Sequence, residues 1–301
     1  MPQHAHLVVA WNWEYDADWL SLLDAACRAR GLTLIQVKPD TLADTLARIR
    51  SGDLSVGVLL DRAWDVDETF YPLADECLAR GARILNHRPL ALRAWDKATM
   101  HLEFISAGLH TPHTIVLQPF AEKPDLPPPN LTPLGNPFIL KPALGGGGAG
   151  VTRDLTAWAQ VSQLRQEFPT DKYLVQAVVM SRLTESGPAW FRVVYALGKV
   201  LPFWWDVQSH VYRPLTTPEE SRFGLAPLRD IARTIARVCR LDLFSTEVAQ
   251  RDGDGQFVSV DYVNDPIDLR LQSKAGDGVP DEAVRCMADF IAECATTPMD
   301  Q

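Results

Sequence analysis

The run from Phe138 to Val151, FILKPALGGGGAGV, limits this chain more than any other stretch. Its first three residues are apolar and read as a short buried strand. Lys141 closes that strand, and Pro142, with no N–H to give to a ladder, stops it. Gly145, Gly146, Gly147 and Gly148 follow, with Gly150 just beyond Ala149. Glycine lets backbone lie close to a ligand, and successive inward N–H groups form an anion nest. A strand, a lysine and a glycine loop in that order point to a polyphosphate site. A flexible interdomain linker is the competing reading. Linkers sit among polar residues, however, and this run is bracketed by apolar strand residues. A Walker loop is not written here, because the lysine precedes the glycines, and no GxGxxG follows the first strand.

Length and charge set outer bounds. The 301 residues, 47% hydrophobic, suffice for a sizeable core and more than one domain. A net charge of -9 without a strong basic patch argues against nucleic acid as a partner. The apolar runs fall short of the ~18 residues a membrane helix needs. The start, MPQHAHLVVAWNW, lacks a charged segment leading into a long apolar one, so a signal peptide is not expected and a cytoplasmic location is. Cys27, Cys77, Cys239, Cys286 and Cys294 are far apart and odd in number, which reads as reduced thiols rather than a disulfide or Cys/His metal framework.

Periodicity supplies the elements. Strands at 7–10, 32–37, 56–61 and 82–86 alternate with helices at 18–30, 41–50 and 68–80, the pattern of a parallel, doubly wound sheet. One helix is predicted over 89–107, then a strand at 111–117 and an irregular Pro-rich stretch over 118–137. Beyond the glycine loop come a helix at 155–168, a strand at 173–179, and a hairpin of 190–197 with 199–207 around Gly198. A helix at 227–240, strands at 243–250 and 256–263 around an Asp-Gly-Asp-Gly turn, and a helix at 280–294 complete the chain. The predicted fold class is therefore α/β and α+β, a parallel α/β unit followed by mixed units.

This order resembles the ATP-grasp fold, with glutathione synthetase and the ribosomal-protein glutamate ligases as the nearest architectural relatives. The resemblance spans roughly residues 1–295 and is carried by NHRPLALRAWDK, FILKPALGGGGAG, YLVQAVV, WFRVVYALGKV and TEVAQ…VDYVNDP. It implies an N-terminal α/β domain over 1–88, a first ATP-grasp subdomain with the glycine loop over 89–180, and a C-terminal subdomain with a metal site over 181–301. The last two would clamp a nucleotide. The implied cofactors are ATP and Mg2+. The implied activity is an ADP-forming carboxylate–amine ligase that makes an amide or peptide bond through an acyl phosphate. The implied partners are a small carboxylate and an amine, amino acid or peptide, with a homodimer as the candidate assembly. The alternative is an ATP-binding regulatory or partner-binding protein of the same fold without ligation.

The resemblance also implies roles. Lys97 and Lys141 would offset phosphate charge under the loop of Gly145, Gly146, Gly147 and Gly148. Gln176, Ala177 and Val179 would read adenine, and Glu185 would hold the ribose. Arg192, with Lys141, would act on the transferring phosphoryl group. Glu247, Asp261 and Asn264 would hold the metal, although relatives have an E-x-N spacing and this chain places its carboxylate three residues before the asparagine rather than two. A strand's period of two sets Asp261 and Asn264 on opposite faces unless a bulge intervenes. Trp11, Trp13 and Glu14 follow the first strand, at the crevice end of an open sheet, and are expected to wall the substrate. Arg270 is the candidate grip for a substrate carboxylate. Taken singly, each has a plainer reading: Asp96–Lys97 as a solvated pair, and Arg192, Glu247 and Asp261 as solvated strand positions.

Overall fold

The structure, a computed structural model, describes residues 2–296. Met1 and residues 297–301, the outer ends of the expected first and last domains, lie outside the described residues. Four parallel strands open the chain: β1 (Gln3–Ala10), β2 (Leu34–Val37), β3 (Leu54–Asp61) and β4 (Arg83–Leu85), in the order β2-β1-β3-β4. Helices α1 (Ala17–Ala29), α2 (Pro39–Ser51) and α3 (Tyr71–Ala79) connect them. Both faces of this sheet are covered, so β1 is a continuous apolar run rather than an alternating one. Leu7 and Val9 pack in one core with Leu20 and Leu23 of α1, while Ala5, Val8 and Ala10 pack in another with Phe70, Leu73 and Cys77.

The helix predicted over 89–107 is two helices, α4 (Arg88–Trp95) and α5 (Lys97–Ser106). Asp96 breaks the run. Its backbone is extended (φ -71, ψ 95), and its carboxylate accepts from the Ala98 and Thr99 amides. Aspartate is among the strongest N-caps, and the gain from satisfying first-turn amides outweighs continuity of the helix. Lys97 thereby becomes the first residue of α5, and its N–H donates to the Ala143 carbonyl at 3.0 Å, which ties the helix start to the glycine strand. The expected Asp96–Lys97 pair does not form; Asp96 pairs with Lys172 instead.

A second sheet, antiparallel in the order β5-β8-β6-β7, holds β5 (Thr114–Leu117), β6 (Phe138–Pro142), β7 (Thr152–Leu155) and β8 (Tyr173–Ala177), with α6 (Trp158–Leu164) between the last two. Sequence reading missed β7, whose Thr-Arg-Asp-Leu text has only one apolar residue. Because β7 pairs back onto β6, the glycine run is the connection of a hairpin within one sheet. That disposes of the linker reading.

After a small hairpin, β9 (Leu183–Thr184) and β10 (Gly187–Pro188), the third sheet assembles β11 (Trp190–Ala196), β12 (Lys199–Trp205), β13 (Tyr212–Pro214), β14 (Leu243–Gln250) and β15 (Phe257–Asn264). Its antiparallel order is β13-β12-β11-β14-β15. Helices α7 (Thr217–Arg222) and α8 (Pro227–Cys239) lie between β13 and β14 in sequence. Phe104 of α5, Ile235 of α8, and Phe244 and Tyr262 of the last hairpin share a core, which joins the middle of the chain to its end. The final helix, α9 (Asp281–Cys294), returns to the first sheet, where Met287 and Ile291 pack in the core that holds Leu20 and Leu23. Among the described residues no helix is long and apolar enough to cross a membrane.

Candidate active site

Three neighbouring strands set one row of charged side chains. On β11, β14 and β15 the register places Arg192 opposite Glu247, and Glu247 opposite Asp261. Directly opposed positions share a face. Arg192 Nη1 donates to Glu247 Oε1 at 2.6 Å and its Nε to Ser245 Oγ at 3.1 Å, while Trp190 Nε1 donates to Glu247 Oε2 at 3.1 Å. The side chains of Arg192 and Glu247 are only 15% and 16% exposed, so the plain reading of solvated strand positions does not describe them.

The spacing of Asp261 and Asn264 is resolved by a bulge. Ser245 pairs with Asn264 and Glu247 with Asp261, so β15 has one more residue than β14 over this interval. The extra residue restores the face that a regular period of two would have lost. Asn264 Nδ2 donates to the Ser245 carbonyl at 3.3 Å, which sets its side chain beside the strand position of Asp261.

Lys141 enters from the second sheet. It is 7% exposed, and its Nζ donates to the Val260 carbonyl of β15 at 3.1 Å. Burial pulls its pKa down to about 8, with Asp261 opposing that fall and Lys97 adding to it. Burial pushes the Asp261 carboxyl up, yet Lys141, then Lys97 and Arg192, outweigh burial and hold it below the usual carboxylate range. Lys97 Nζ donates to the Gly145 carbonyl, at the start of the glycine loop. Three cations, Lys97, Lys141 and Arg192, therefore gather with two carboxylates at the seam between the second and third sheets.

That surplus of positive charge suits a polyphosphate, and the loop beside it is built for close approach. A Cβ on Gly145 would stand 2.7 Å from Pro142 Cγ and 2.9 Å from the Ala149 carbonyl oxygen, and one on Gly150 would stand 2.6 Å from Phe168 Cε2. Gly147, Gly148 and Gly150 also have positive φ, a conformation that side chains penalise. Among the described residues no three His, Cys, Asp or Glu side chains gather as metal ligands. The set Glu247, Asp261 and Asn264 offers oxygen donors alone, which fits a hard cation that shares its shell with phosphate oxygens.

Other expected residues lie elsewhere or are already engaged. Gln176 is 2% exposed, and its Nε2 donates to Thr114 Oγ1 at 2.9 Å and Tyr262 Oη at 3.0 Å, so strand alternation turns it into a buried network. The Ala177 N–H, expected at adenine, donates to the His113 carbonyl at 2.9 Å because it extends the sheet next to β5. Val179 follows the end of β8. Glu185 sits in the turn of the small β9–β10 hairpin and pairs with Arg222 on the surface (2.7 Å). Trp11 is a core residue at 7% exposure, because β1 is followed directly by a buried position, and Glu14 is exposed in a 3-10 turn.

The wall expected from that segment is supplied by its neighbours. Asn12, Trp13 and Asp16 line a cavity of about 500 Å³ at the C-terminal ends of β1 and β3, together with Arg62, Asp65 and the chain that follows β15. Arg270 lines it too, but its guanidinium is spent on Asp268 (2.8 Å) and Asp277 (2.9 Å) and is not free to grip a carboxylate. Asp16 and Arg62 form a buried bidentate pair at 2.8 and 2.9 Å. Sequence reading missed Arg62 and Asp65. The signal was present: β3 neighbours β1 and ends at the same edge, so the crevice rule applied to WNWEYD applies equally to DRAWD.

No family model matches the chain, and no curated protein matches it significantly. Solved structures do. A RimK-domain ATP-grasp protein from Sphaerobacter thermophilus is 22% identical, with 96% of this chain and 100% of that one covered at a TM-score of 0.63. D-alanine–D-alanine ligase from Bacillus anthracis, complexed with ATP, is 14% identical over 96% and 97% at 0.63. The ATP-grasp ligase PsnB, complexed with a precursor peptide and AMPPNP, is 13% identical over 99% of both chains at 0.62. Likeness at this level of identity is likeness of fold.

Proposed function

We propose that this chain, which has the ATP-grasp fold, is an ATP-dependent ligase that joins a carboxylate to an amine, forming ADP, by way of an acyl phosphate. The observation that carries the reading is the meeting of Lys141 from the second sheet with the Arg192–Glu247–Asp261 row of the third. A nucleotide would lie in that seam, between the 89–180 and 181–301 subdomains.

Each residue has a part that follows from its chemistry. Lys97, Lys141 and the amides of Gly145 to Gly148 hold the phosphates and offset their charge. Glu247, Asp261 and Asn264 hold Mg2+, which when bound draws negative charge from phosphate oxygens. Arg192, kept in place by Glu247 and Ser245, presents its guanidinium to the phosphoryl group as charge grows there. The buried Gln176–Tyr262–Thr114 network joins the second sheet to β15 and holds the two halves of the seam in register.

Hydroxylamine intercepts acyl phosphates. Incubation of the chain with Mg-ATP, hydroxylamine and a panel of carboxylic acids is expected to release ADP and an acyl hydroxamate with the matching acid. ATP binding without hydroxamate across a broad panel would remove the ligase reading and leave a nucleotide-binding protein.

A further inference from the structure

The cavity beside β1 and β3 carries an imbalance that the nucleotide seam does not use. Its lining cations are Arg62 and Arg270. Arg62 is bidentate on Asp16 and gives its remaining Nη1 to the Ile267 carbonyl at 3.0 Å. Arg270 is held by Asp268 and Asp277. Both are held in ion pairs, and a further carboxylate, Asp65, lines the same space. Among the described residues Asp65 has no ion pair or side-chain hydrogen bond, and burial pushes its carboxyl up. Asn12 Oδ1, also in the lining, is buried without a partner. The cavity thus holds a carboxylate without a cation, while both of its arginines are engaged by other carboxylates. The rest of the wall is apolar: Trp13, Val66, Pro266 and Ile267.

We propose that this cavity is the amine subsite, and that it takes an alkylammonium cation without a carboxylate, held by Asp65 with its carbon chain against Trp13 and Ile267. The inference builds on the ligase reading. A half-buried carboxylate without a partner carries a desolvation cost, and a ligand cation relieves it. A ligand carboxylate meets the opposite situation. It would find no free guanidinium and would lie against Asp65 and Asp268, so a zwitterionic amino acid is rejected by repulsion as well as by lack of a partner. The volume, about 500 Å³, is that of a small-molecule site. Its far wall is the chain directly after β15, so an amine held there lies next to the strand that bears Asp261 and Asn264.

Two matched pairs isolate the carboxylate: cadaverine against lysine, and pentylamine against norleucine. Calorimetric titration of the full chain, saturated with AMPPNP and Mg2+, is expected to show each amine binding at least about tenfold more tightly than its amino acid, the size of one charge-assisted contact. Asp65→Asn is expected to abolish that preference, with an unchanged melting temperature showing that it folds, and Asn12→Asp, which adds a second carboxylate, to strengthen it. Amino acids binding as tightly as the amines, an Asp65→Asn protein that keeps full amine affinity, or no binding of any probe overturns the inference. The same panel run for ADP release separates the two claims. A preference for amines that depends on Asp65 but yields no ADP with any acid leaves the subsite standing and removes the ligase. ADP release with amino acids and not with amines does the reverse.

Discussion

Lys141 Nζ donates to the Val260 carbonyl at 3.1 Å, one residue before Asp261, so the lysine of the glycine strand is anchored on the last hairpin beside a carboxylate that its charge keeps ionised. The cation therefore belongs to both halves of the seam. Burial already draws its pKa down to about 8, which marks a charge kept inside the protein with a single carbonyl as its direct partner.

A bound polyphosphate would complete that pairing. Mg-ATP at a hundred times its Kd is expected to stabilise the parent by about 2.7 kcal/mol. Lys141→Ala is expected to lose most of that gain, as read by thermal shift with and without Mg2+. An undiminished shift in the variant would place the nucleotide elsewhere.

The glycines are not equivalent. Gly145→Ala puts its Cβ within 3 Å of both Pro142 and the Ala149 carbonyl, whereas a Cβ on Gly146 meets nothing within 4 Å. Gly145→Ala is expected to lower stability by about 1–3 kcal/mol, and Gly146→Ala by less than about 0.5 kcal/mol. Urea melts of the two variants check this, and equal losses would mean that the loop is not held as described.

Asp61 gives a pH dependence with a defined sign. It is 5% exposed, its Oδ1 accepts from the Ala63 and Trp64 amides, and its Oδ2 has no partner. Burial, against those two hydrogen bonds, raises its pKa from 3.8 to about 6. The folded state thus holds the proton more tightly than the unfolded chain. This contribution to stability is complete below about pH 4 and is lost as pH rises to about 6, by at most about 3 kcal/mol. Asp61→Asn, which keeps the accepting oxygen, is expected to remove that part of the slope and to be the more stable protein at pH 7. Superimposable stability–pH curves for variant and parent would contradict it.

Glu247 and Asn264 are expected to matter more to turnover than to affinity. Groups that hold a metal against a phosphoryl group gain most as charge develops during transfer. Glu247→Gln and Asn264→Ala are expected to lower kcat by about a hundredfold or more while changing the ATP Kd by less than about threefold. Equal losses in both would make them nucleotide holders only.

Much of the fold was legible because apolar periodicity and turn glycines agree with the tertiary packing. The parallel strands of the first sheet, the β11–β12 hairpin and the last hairpin all fall where the sequence puts them. What was not legible depends on local competition or on distant partners. Asp96 splits a helix because capping beats continuity, and periodicity alone does not weigh the two. The bulge that brings Asn264 to Asp261 is set by pairing with β14, so spacing along one strand cannot reveal it. Arg270 read as a free cation because its partners, Asp268 and Asp277, could as well have been solvated. Gln176 and Tyr262 are a long way apart in sequence, and their bond exists only once the second and third sheets meet.

The central claim is that the seam couples ATP cleavage to bond formation between two substrates. The direct measurement is ADP, phosphate and amide in the same reaction, with the acid fixed by hydroxamate trapping and the amine drawn from the alkylamine panel. The account predicts the three products in equal amounts, with ADP release falling to background when either acid or amine is omitted and in Arg192→Ala. ADP released at the same rate without the acid or without the amine, or ATP bound tightly and never cleaved with any pair, would contradict it.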